Sequence, residues 1–366
     1  MKWNSIFKKA KVAEKPKKSK TREWMDAILF AVVASTIIRG LLFSAYAIPS
    51  GSMEGTQMTG DYLFVSKLNY GPRMAFTPIS IPFLEPTVTG AKIKTYWDGL
   101  QLPYYRLPGL SSVKNGDIVV FNLPVDSAVK PIDEKTSYIK RCQAIPGDVI
   151  NIVNTQVYIN GKALKNALRA QTSYRVTTDG TGLNPQALQD LHIEVYQQLT
   201  PNDYVMIIPV ESFNTFKSYT NIKAIKPVVE AAGVYDPEIY PHNPMFKWNM
   251  DNFGPLAVPK KGHTIALNDS TVALYRPLIV NYEHNTISHQ GSDYYVNGQK
   301  SNTYTFKQGY YWMMGDNRHN SEDSRFWGFV SEENIVGKAM FTWMSVDSTA
   351  SLFNKVRWSR VMRPIK

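Results

Sequence analysis

The sequence predicts a mainly β protein that begins with a transmembrane helix and carries a large α+β insertion. Beyond residue 60, short runs rich in Val, Ile, Tyr, Phe and Thr alternate with Gly, Pro and Asn-Gly, which is typical of antiparallel strands joined by tight turns. Before residue 49, one long apolar segment has the composition of a membrane span. The chain of 366 residues is long enough for more than one domain.

The N-terminal segment 24–48 is predicted to be a transmembrane anchor. It holds twelve uncharged residues from Ala27 to Ile38, then Arg39, then a second apolar patch. It reaches the roughly 20 residues of a full span if Arg39 lies at an interface and extends its charge into water. Trp24 and Tyr46 suit the two interfacial belts of such a span.

A cleavable signal peptide is the alternative interpretation of the same segment. The triplet Ala45-Tyr46-Ala47 follows the apolar run and has the small-x-small pattern of a cleavage site. Against it, the basic region before the apolar run is long, and Pro49 lies only two residues beyond the cut. The retained anchor is therefore the favoured prediction.

The net charge of +11 is concentrated at the two ends of the chain. Residues 1–22 carry +8 and residues 355–366 carry +5, so the remainder carries −2. A nearly neutral body argues against nucleic-acid binding. We expect a basic cytoplasmic tail over 1–23 and a basic C-terminal tail over 346–366. Because Lys and Arg precede the apolar segment, the N-terminus is predicted to lie in the cytoplasm and the rest of the chain outside.

A polar block interrupts the strand pattern in the middle of the chain. We expect one β domain over 49–163 and 262–345, with residues 164–261 inserted as a subdomain. Within that block, 185–199 and 225–235 have helical periodicity.

Several kinds of chemistry are absent from the sequence. The motifs H-E-x-x-H, C-x-x-C, G-x-x-x-x-G-K-[ST], G-x-G-x-x-G and G-x-S-x-G do not occur, and the six histidines have no metal-ligand spacing. The single cysteine, Cys142, is predicted to be a small buried side chain and not a nucleophile. No metal site and no cofactor are predicted.

Three short segments could carry a reaction. The first is "IPSGSM", in which Pro49 and Gly51 set a turn that can present Ser50 and Ser52 on one side. Alone, it is better explained as a linker after a membrane helix. The second is "SYIKRCQAIPGD", residues 137–148, where two adjacent cations in a strand point to opposite faces.

One of these two cations must point toward the protein or a groove. If it is Lys140, burial would lower its pKa, although a sheet edge with two solvated bases is the simpler explanation. The third segment is "GDNRHNSEDSR", residues 315–325, between two apolar runs. Its charged residues can form ion pairs with one another; they are Asp316, Arg318, Asp323 and Arg325. The alternative to a functional loop is a polar turn whose side chains only hydrogen-bond to one another.

Together, the segments resemble the bacterial type I signal peptidases (leader peptidases), the membrane-bound Ser/Lys serine proteases of peptidase family S26. "IPSGSM" resembles their serine box, "GDYLFVSK" the following strand, "YIKRCQAIPGD" the lysine box and "GDNRHNSEDSR" the C-terminal box. All four occur in family order after an N-terminal anchor. The resemblance covers about residues 20–163 and 262–345. It implies a catalytic β domain of signal-peptidase type.

The resemblance assigns roles residue by residue. It implies Ser52 as the nucleophile, Lys140 as its general base, and the Ser52 N–H with the Ser50 hydroxyl as the oxyanion site. It further implies that Ser321 hydrogen-bonds the lysine amine and that an ion pair of Asp323 with Arg325 braces the loop. Asp316 and Arg318 are expected to support the same loop.

The sequence departs from the family pattern at three places. Glu54-Gly55 follows Met53 where a proline is usual, His319 stands where an Asp is common, and residues 143–145 replace a small, Gly-containing run. These departures put loop detail and substrate preference in doubt, and they leave the nucleophile and base in place.

The resemblance implies that the substrates are secreted preproteins with signal peptides, cut at the outer face of the bacterial inner membrane by an enzyme anchored in the lipid bilayer. Two alternatives stay open. One is another Ser/Lys protease of the same wider fold with a different substrate, and the other is an inactive membrane-tethered β scaffold.

Overall fold

A computed structural model describes residues 19–81, 87–88, 93–126, 130–291, 293–348, 350 and 355–365. The α-helices are α1 (Lys20–Ile37), α2 (Pro185–Asp190), α3 (Val210–Lys217), α4 (Asp269–Pro277) and α5 (Ser324–Trp327). The strands are β1 (Phe43–Ala47), β2 (Asp61–Ser66), β3 (Thr87–Val88), β4 (Ile93–Lys94), β5 (Ile118–Asn122), β6 (Ser137–Ala144), β7 (Val149–Val153), β8 (Gln156–Ile159), β9 (Lys162–Ala163), β10 (Gln171–Thr178), β11 (Glu194–Gln198), β12 (Asp203–Pro209), β13 (Ile222–Pro227), β14 (Phe253–Ala257), β15 (Thr264–Ala266), β16 (Ile287–Gln290), β17 (Asp293–Val296), β18 (Gln299–Lys300), β19 (Thr303–Thr305), β20 (Tyr310–Met314), β21 (Val330–Ser331), β22 (Ile335–Ser345) and β23 (Arg363–Pro364).

The largest sheet is antiparallel and has the order β1-β2-β22-β5-β6-β20-β21, with β23 added beside β22. Its central strand β5 reads Ile-Val-Val-Phe-Asn and all five of its residues are buried. A continuous apolar strand of this kind is stable only when both faces of the sheet are covered. The sheet is therefore the core of the β domain, and the predicted fold class is confirmed.

Two hairpin turns follow directly from Asn-Gly pairs. Asn160-Gly161 joins β8 to β9 and Asn297-Gly298 joins β17 to β18, and all four residues have positive φ. Asn and Gly tolerate this conformation, which matches the twist of the flanking strands. Both turns agree with the prediction from sequence.

The predicted anchor 24–48 contains two different elements. The apolar helix α1 continues as a π-helical turn over Ile38–Leu42, and Lys20–Leu42 is long and apolar enough to cross a membrane. Residues 43–47 do not extend the helix, because they form β1 and pair with β2 from Phe43↔Ser66 to Ala47↔Tyr62. Tyr46 packs against the buried valine cluster that includes Val65.

A separate four-stranded antiparallel sheet has the order β11-β12-β10-β13; we call it the 171–227 sheet. It lies within the predicted insertion, and α2 and α3 flank its strands. The helical prediction for 185–199 is correct only as far as Asp190, and the one for 225–235 is wrong. His192 has φ +54 and ends the helical course, and β11 then pairs with β12, while β13 covers 222–227. Strand pairing outweighed the weak helical periodicity.

The C-terminal segment packs against the main sheet instead of forming a free basic tail. β23 pairs with β22, and the buried Arg360 forms a bidentate ion pair with the fully buried Asp61, with N···O distances of 3.0 and 2.5 Å. The ion pair holds Asp61 charged: burial opposes ionisation, but the hydrogen bonds from Arg360 lower the pKa of Asp61 below its usual value.

We expect Arg360→Ala to destabilise the protein by about 3–5 kcal/mol, because it leaves the Asp61 carboxylate buried without its cation. Thermal unfolding of the full chain in detergent micelles measures the loss. Arg357→Ala is the matched control, since Arg357 pairs with the partly exposed Asp347 and such pairs contribute about 0–1 kcal/mol. Equal melting temperatures for the Arg360 variant and the wild type would show that the C-terminal segment is dispensable.

Candidate active site

Ser52 lies in a tight turn at the end of the edge strand β1. Gly51–Met53 form one 3-10 turn, and Ser50 precedes it in an extended conformation, with φ −134 and ψ 159. The Asn317 N–H donates to the Ser52 carbonyl at 3.1 Å, so the turn is fixed to the loop 315–325. The short, bendable segment after the membrane helix thus delivers one serine side chain to the interior of the β domain.

Lys140 reaches Ser52 from the centre of β6. Its backbone pairs with Val119 of β5, its side chain is buried, and only 3% of its surface is exposed. Its Nζ lies 2.7 Å from Ser52 Oγ, a hydrogen bond between residues 88 positions apart in sequence. Burial lowers the pKa of the Lys140 ammonium below its usual value, although the charges of Asp323 and Glu322 act in the opposite direction.

Arg141, the neighbouring cation, points the other way and pairs with Asp316. Its Nε and NH2 donate to the two Asp316 carboxylate oxygens at 2.8 and 2.7 Å, and Asp316 is fully buried. Thr56 Oγ1 donates to the same carboxylate at 2.6 Å. One carboxylate thereby connects the loop after Ser52, the strand of Lys140 and the C-terminal loop.

Asp323 and Arg325 form the second buried ion pair of the site. Arg325 Nε and NH2 each lie 2.9 Å from an oxygen of Asp323, and the Gly315 N–H donates to Asp323 at 3.0 Å. Burial opposes ionisation of Asp323, but the charge and hydrogen bonds of Arg325 lower its pKa below the usual value. The pair fixes the ends of the loop 315–325 to each other.

One contact that the resemblance implied is absent from the described residues. The Ser321 hydroxyl is buried and has no hydrogen-bond partner in the described residues, so it does not bond to Lys140. The hydroxyl nevertheless lies at the site, because Ser321 Oγ and the Ser52 carbonyl oxygen both pack against Gly315. A Cβ built on that glycine would be 2.2 Å from the first atom and 2.5 Å from the second. Ser50 is exposed, and its side chain makes no capping hydrogen bond.

Arg318 does not pair with Asp316, because Arg141 already occupies that carboxylate. Its NH2 donates to Asn166 Oδ1 at 3.3 Å, while its Nε and NH1 are buried without a partner in the described part of the chain. Burial, assisted by the nearby charge of Arg325, lowers the pKa of Arg318 to about 10.

His319 connects the loop 315–325 to the 171–227 sheet. The Ser173 N–H donates to Nδ1 at 3.1 Å, so Nδ1 is an acceptor and the proton on Nε2 donates to Asp251 Oδ1 at 3.0 Å. The contact could not be read from the sequence, since Ser173 and Asp251 lie 146 and 68 residues away.

The arrangement joins a serine hydroxyl to a buried amine, which is the geometry of an activated nucleophile. Among the described residues, no group of three or more His, Cys, Asp or Glu side chains is placed to hold a metal ion. Cys142 is fully buried, and burial raises its thiol pKa well above the usual value, as expected for a structural residue.

Comparison with known proteins identifies a family of peptidases. The family model described as "Signal peptidase, peptidase S26" matches residues 21–210 and 257–344. The chain is 30% identical over 312 residues to the signal peptidase I of Buchnera aphidicola subsp. Schizaphis graminum, covering 85% of this chain and 71% of that protein. It is 26% identical over 348 residues to that of Buchnera aphidicola subsp. Acyrthosiphon pisum, covering 94% and 82%.

A more distant relative has the same description. The signal peptidase I of Haemophilus influenzae is 22% identical over 335 residues, which cover 91% of this chain and 72% of that protein. The family match spans most of the chain, including the anchor helix and all three segments of the site. The chain therefore belongs to the signal peptidase family, peptidase S26, and is a membrane-anchored serine endopeptidase that removes signal peptides from preproteins.

Proposed function

We propose that Ser52 is the nucleophile of this peptidase and Lys140 its general base. The observation that carries the proposal is the 2.7 Å contact between Ser52 Oγ and Nζ of the buried Lys140. A serine hydroxyl needs a base within hydrogen-bond reach, and a lysine is a base only when neutral. Burial of Lys140 favours the neutral amine.

The reaction has two balanced steps. The neutral Lys140 amine takes the proton of Ser52 while Oγ attacks the scissile carbonyl, and the resulting ammonium gives that proton to the leaving amine of the mature protein. The signal peptide stays attached to Oγ as an ester. A water molecule then loses a proton to Lys140 and attacks the ester, and Lys140 returns that proton to Ser52 Oγ as the ester bond breaks. The signal peptide leaves as a carboxylic acid, which ionises by giving its remaining proton to water.

The Ser52 N–H and the Ser50 hydroxyl are assigned as the hydrogen-bond donors to the oxyanion that forms when Oγ attacks the scissile carbonyl. Ser52 lies in the first turn of a 3-10 helix, where N–H groups lack an acceptor within the turn. Ser50 lies two residues earlier, and its hydroxyl is not used as a helix cap. Donors of this kind stabilise the developing negative charge of the tetrahedral intermediate.

We assign the remaining residues to positioning. Asp316 with Arg141, and Asp323 with Arg325, hold the loops of Ser52 and Lys140 together through buried ion pairs. Ser321, whose hydroxyl lies against Gly315 near the Ser52 carbonyl, is assigned to the same support. Arg318 fixes the loop 315–325 through its backbone, since its N–H donates to Gln171.

The site is proposed to work at the outer surface of the bacterial inner membrane, with the N-terminus in the cytoplasm. Five residues of β1 and a short turn separate the end of the apolar helix at Leu42 from Ser52. A signal peptide can keep its apolar helix in the bilayer and present its cleavage site as a strand along the free edge of β1. The catalytic domain 49–163 and 262–345, and the inserted subdomain 164–261, are part of the same proposal.

We expect Ser52→Ala to reduce kcat/KM for preprotein cleavage by about 10⁴-fold or more, because no other hydroxyl can replace Oγ. Purified full chain in detergent and a preprotein substrate measure this, with product size read on a gel. Ser112→Ala, an exposed serine outside the site, is the control that should keep wild-type activity. Near-normal cleavage by the Ser52 variant would refute the assignment of the nucleophile.

A further inference from the structure

A cavity of about 240 Å³ lies beside the active site, between the loop that follows Ser52 and the 171–227 sheet. Glu54, Gly55 and Met58 form one wall, and Ile193, Glu194 and Pro209 form much of the other. Its volume exceeds what a few water molecules need, at about 30 Å³ each, and suits one long side chain. The cavity joins the nucleophile loop to a sheet that the reaction itself does not use.

One lining residue of the cavity, Glu54, reaches back to the turn that holds Ser52. The Glu54 carboxylate lies against Gly51, the residue before the nucleophile, because a Cβ added at Gly51 would fall 2.6 Å from Glu54 Oε2. Glu54 also departs from the family pattern, in which a proline is usual near this position. The wall nearest the reaction therefore carries a negative charge.

The two walls are fixed to each other and to the catalytic loops. A Cβ added at Gly55 would fall 2.1 Å from the Arg169 carbonyl oxygen, so the two backbones are in direct contact. Gln171 donates its N–H to the Asp316 carbonyl at 2.8 Å and accepts the Arg318 N–H at 3.0 Å. A ligand held in the cavity would thus have a fixed position relative to Ser52.

The charges of the cavity call for a cation. Arg169 is neutralised by an ion pair with Glu211 at 3.1 Å, whereas Glu54 and Glu194 belong to no ion pair in the described part of the chain. Burial, together with the charge of Glu194, raises the pKa of Glu54, although the charges of Arg357 and Arg360 act in the opposite direction. A positive group placed between Glu54 and Glu194 would lower that pKa further. Met58, Ile193 and Pro209 offer apolar surface beside these carboxylates.

A lysine or arginine side chain has the matching form, an apolar stem that ends in a charge. We propose that this cavity binds a basic side chain in the first residues of the mature part of the preprotein, just after the scissile bond. The proposal rests on the function proposed above. It makes the 171–227 sheet a specificity-determining part of the enzyme.

The location of the cavity assigns it to the mature part of the substrate. The signal peptide comes from the bilayer, where α1 lies, and β1 leads from α1 to Ser52. The lining residues Glu54, Gly55 and Met58 follow Ser52 in the chain, whereas β1, along which the signal peptide is proposed to bind, precedes it. The cavity continues to β11, an edge strand whose five residues are all exposed, and an unpaired edge can accept an extended chain as a further strand.

The test uses the full chain in detergent and preproteins that carry Ala, Lys or Glu at each of the first six mature positions in turn. We expect Lys at one position to raise kcat/KM about 3- to 10-fold over Ala, and Glu there to lower it, as for a partly buried charge pair. In the double variant E54Q/E194Q the Lys-to-Ala ratio should fall to about 1. In Glu194→Lys, where Glu54 is paired with the new cation, the Lys-to-Ala ratio should likewise fall to about 1.

Glu238→Gln, an exposed carboxylate away from the cavity, is the control that should keep the wild-type ratio. Equal kcat/KM for Ala and Lys at all six positions would overturn the proposal, as would a Lys preference that survives E54Q/E194Q. In each case the Ala substrate is still cleaved in a Ser52-dependent reaction, so failure of this inference is separate from failure of the Ser52/Lys140 assignment.

Discussion

Replacing Lys140 with alanine should abolish signal-peptide cleavage, with kcat/KM reduced by about 10³-fold or more. The reason is that Ser52 Oγ has a hydrogen-bonded amine 2.7 Å away that can take its proton. Arginine should not replace it, because a guanidinium stays protonated and cannot act as a base. Lys114→Ala, which removes an exposed lysine, is the matched control and should keep full activity.

The pH profile tests the role of Lys140 more sharply than the loss of activity does. Only the neutral amine can take the proton, so kcat/KM should rise with pH through the pKa of Lys140 in the folded protein. Burial lowers that pKa, so the rise should occur below the usual lysine value of about 10.4. Activity that is independent of pH on the acid side, or that survives in Lys140→Ala, would rule out lysine as the base.

Stability should change in the opposite direction to activity when Lys140 is replaced with methionine. The folded state binds this proton more weakly than the unfolded state, so burial of the ammonium costs stability below the folded pKa. This cost is relieved as the pH rises from the folded pKa toward the unfolded one. Lys140→Met should therefore unfold at a higher temperature than the wild type at pH 7, and the difference should shrink as the pH rises. A purely structural lysine would give a less stable variant.

The resemblance to the family boxes implied that Ser52 and Lys140 meet, whereas the residues taken alone favoured a linker and a solvated sheet edge. Ser50, Gly51 and Ser52 stand together after an apolar helix, and Lys140 stands within a strand pattern. The order of the boxes then implied which residues meet. The 88-residue separation was no obstacle, since each box was recognised on its own.

The partners of the charged residues could not be predicted in the same way. Asp316 stands two residues from Arg318 in sequence, yet it pairs with Arg141, 175 residues away, and with Thr56. The sequence shows which charges are close along the chain, whereas the sheet register decides which are close in space. β20 places Met314 opposite Arg141, and this pairing brings the two buried groups together.

The predicted boundaries of helices and strands were wrong where two physical preferences compete. Residues 43–47 are apolar enough to continue a membrane helix, but they pair with β2 because their backbone reaches the sheet. Residues 194–198 have helical periodicity, but Val195 and Tyr196 suit a strand and β12 offers an edge. In both places a neighbouring strand decided the outcome, and its position is a property of the fold and not of the segment.

Replacing Asp323 with asparagine should destabilise the protein by about 3–5 kcal/mol, because Arg325 is then left buried without its counter-charge. Thermal unfolding in detergent micelles measures this. Asp293→Asn is the matched control, since the exposed pair of Asp293 with Lys300 should contribute about 0–1 kcal/mol. A loss no larger than that of the control would contradict a bracing role.

The pH dependence of this loss has a defined sign. The pKa of Asp323 is lowered in the folded state, so its contribution is fully present above the unfolded carboxyl value of about 3.9. It is lost as the pH falls through the folded pKa, where the wild-type carboxylate also takes up a proton. The wild type and Asp323→Asn should therefore converge in melting temperature at strongly acidic pH.

The same substitution separates bracing from proton transfer, because the charge of Asp323 raises the pKa of Lys140. When asparagine removes that charge, the neutral amine forms at lower pH. The acid limb of the residual activity should then shift to lower pH while keeping its shape. If Asp323 were itself the base, the rise of activity with pH would be absent from the variant, because its carboxylate is gone. If the pH profile shifts to lower pH and the variant is also less stable, Asp323 supports the loop of the site. Its charge then also sets the pH at which Lys140 becomes a base.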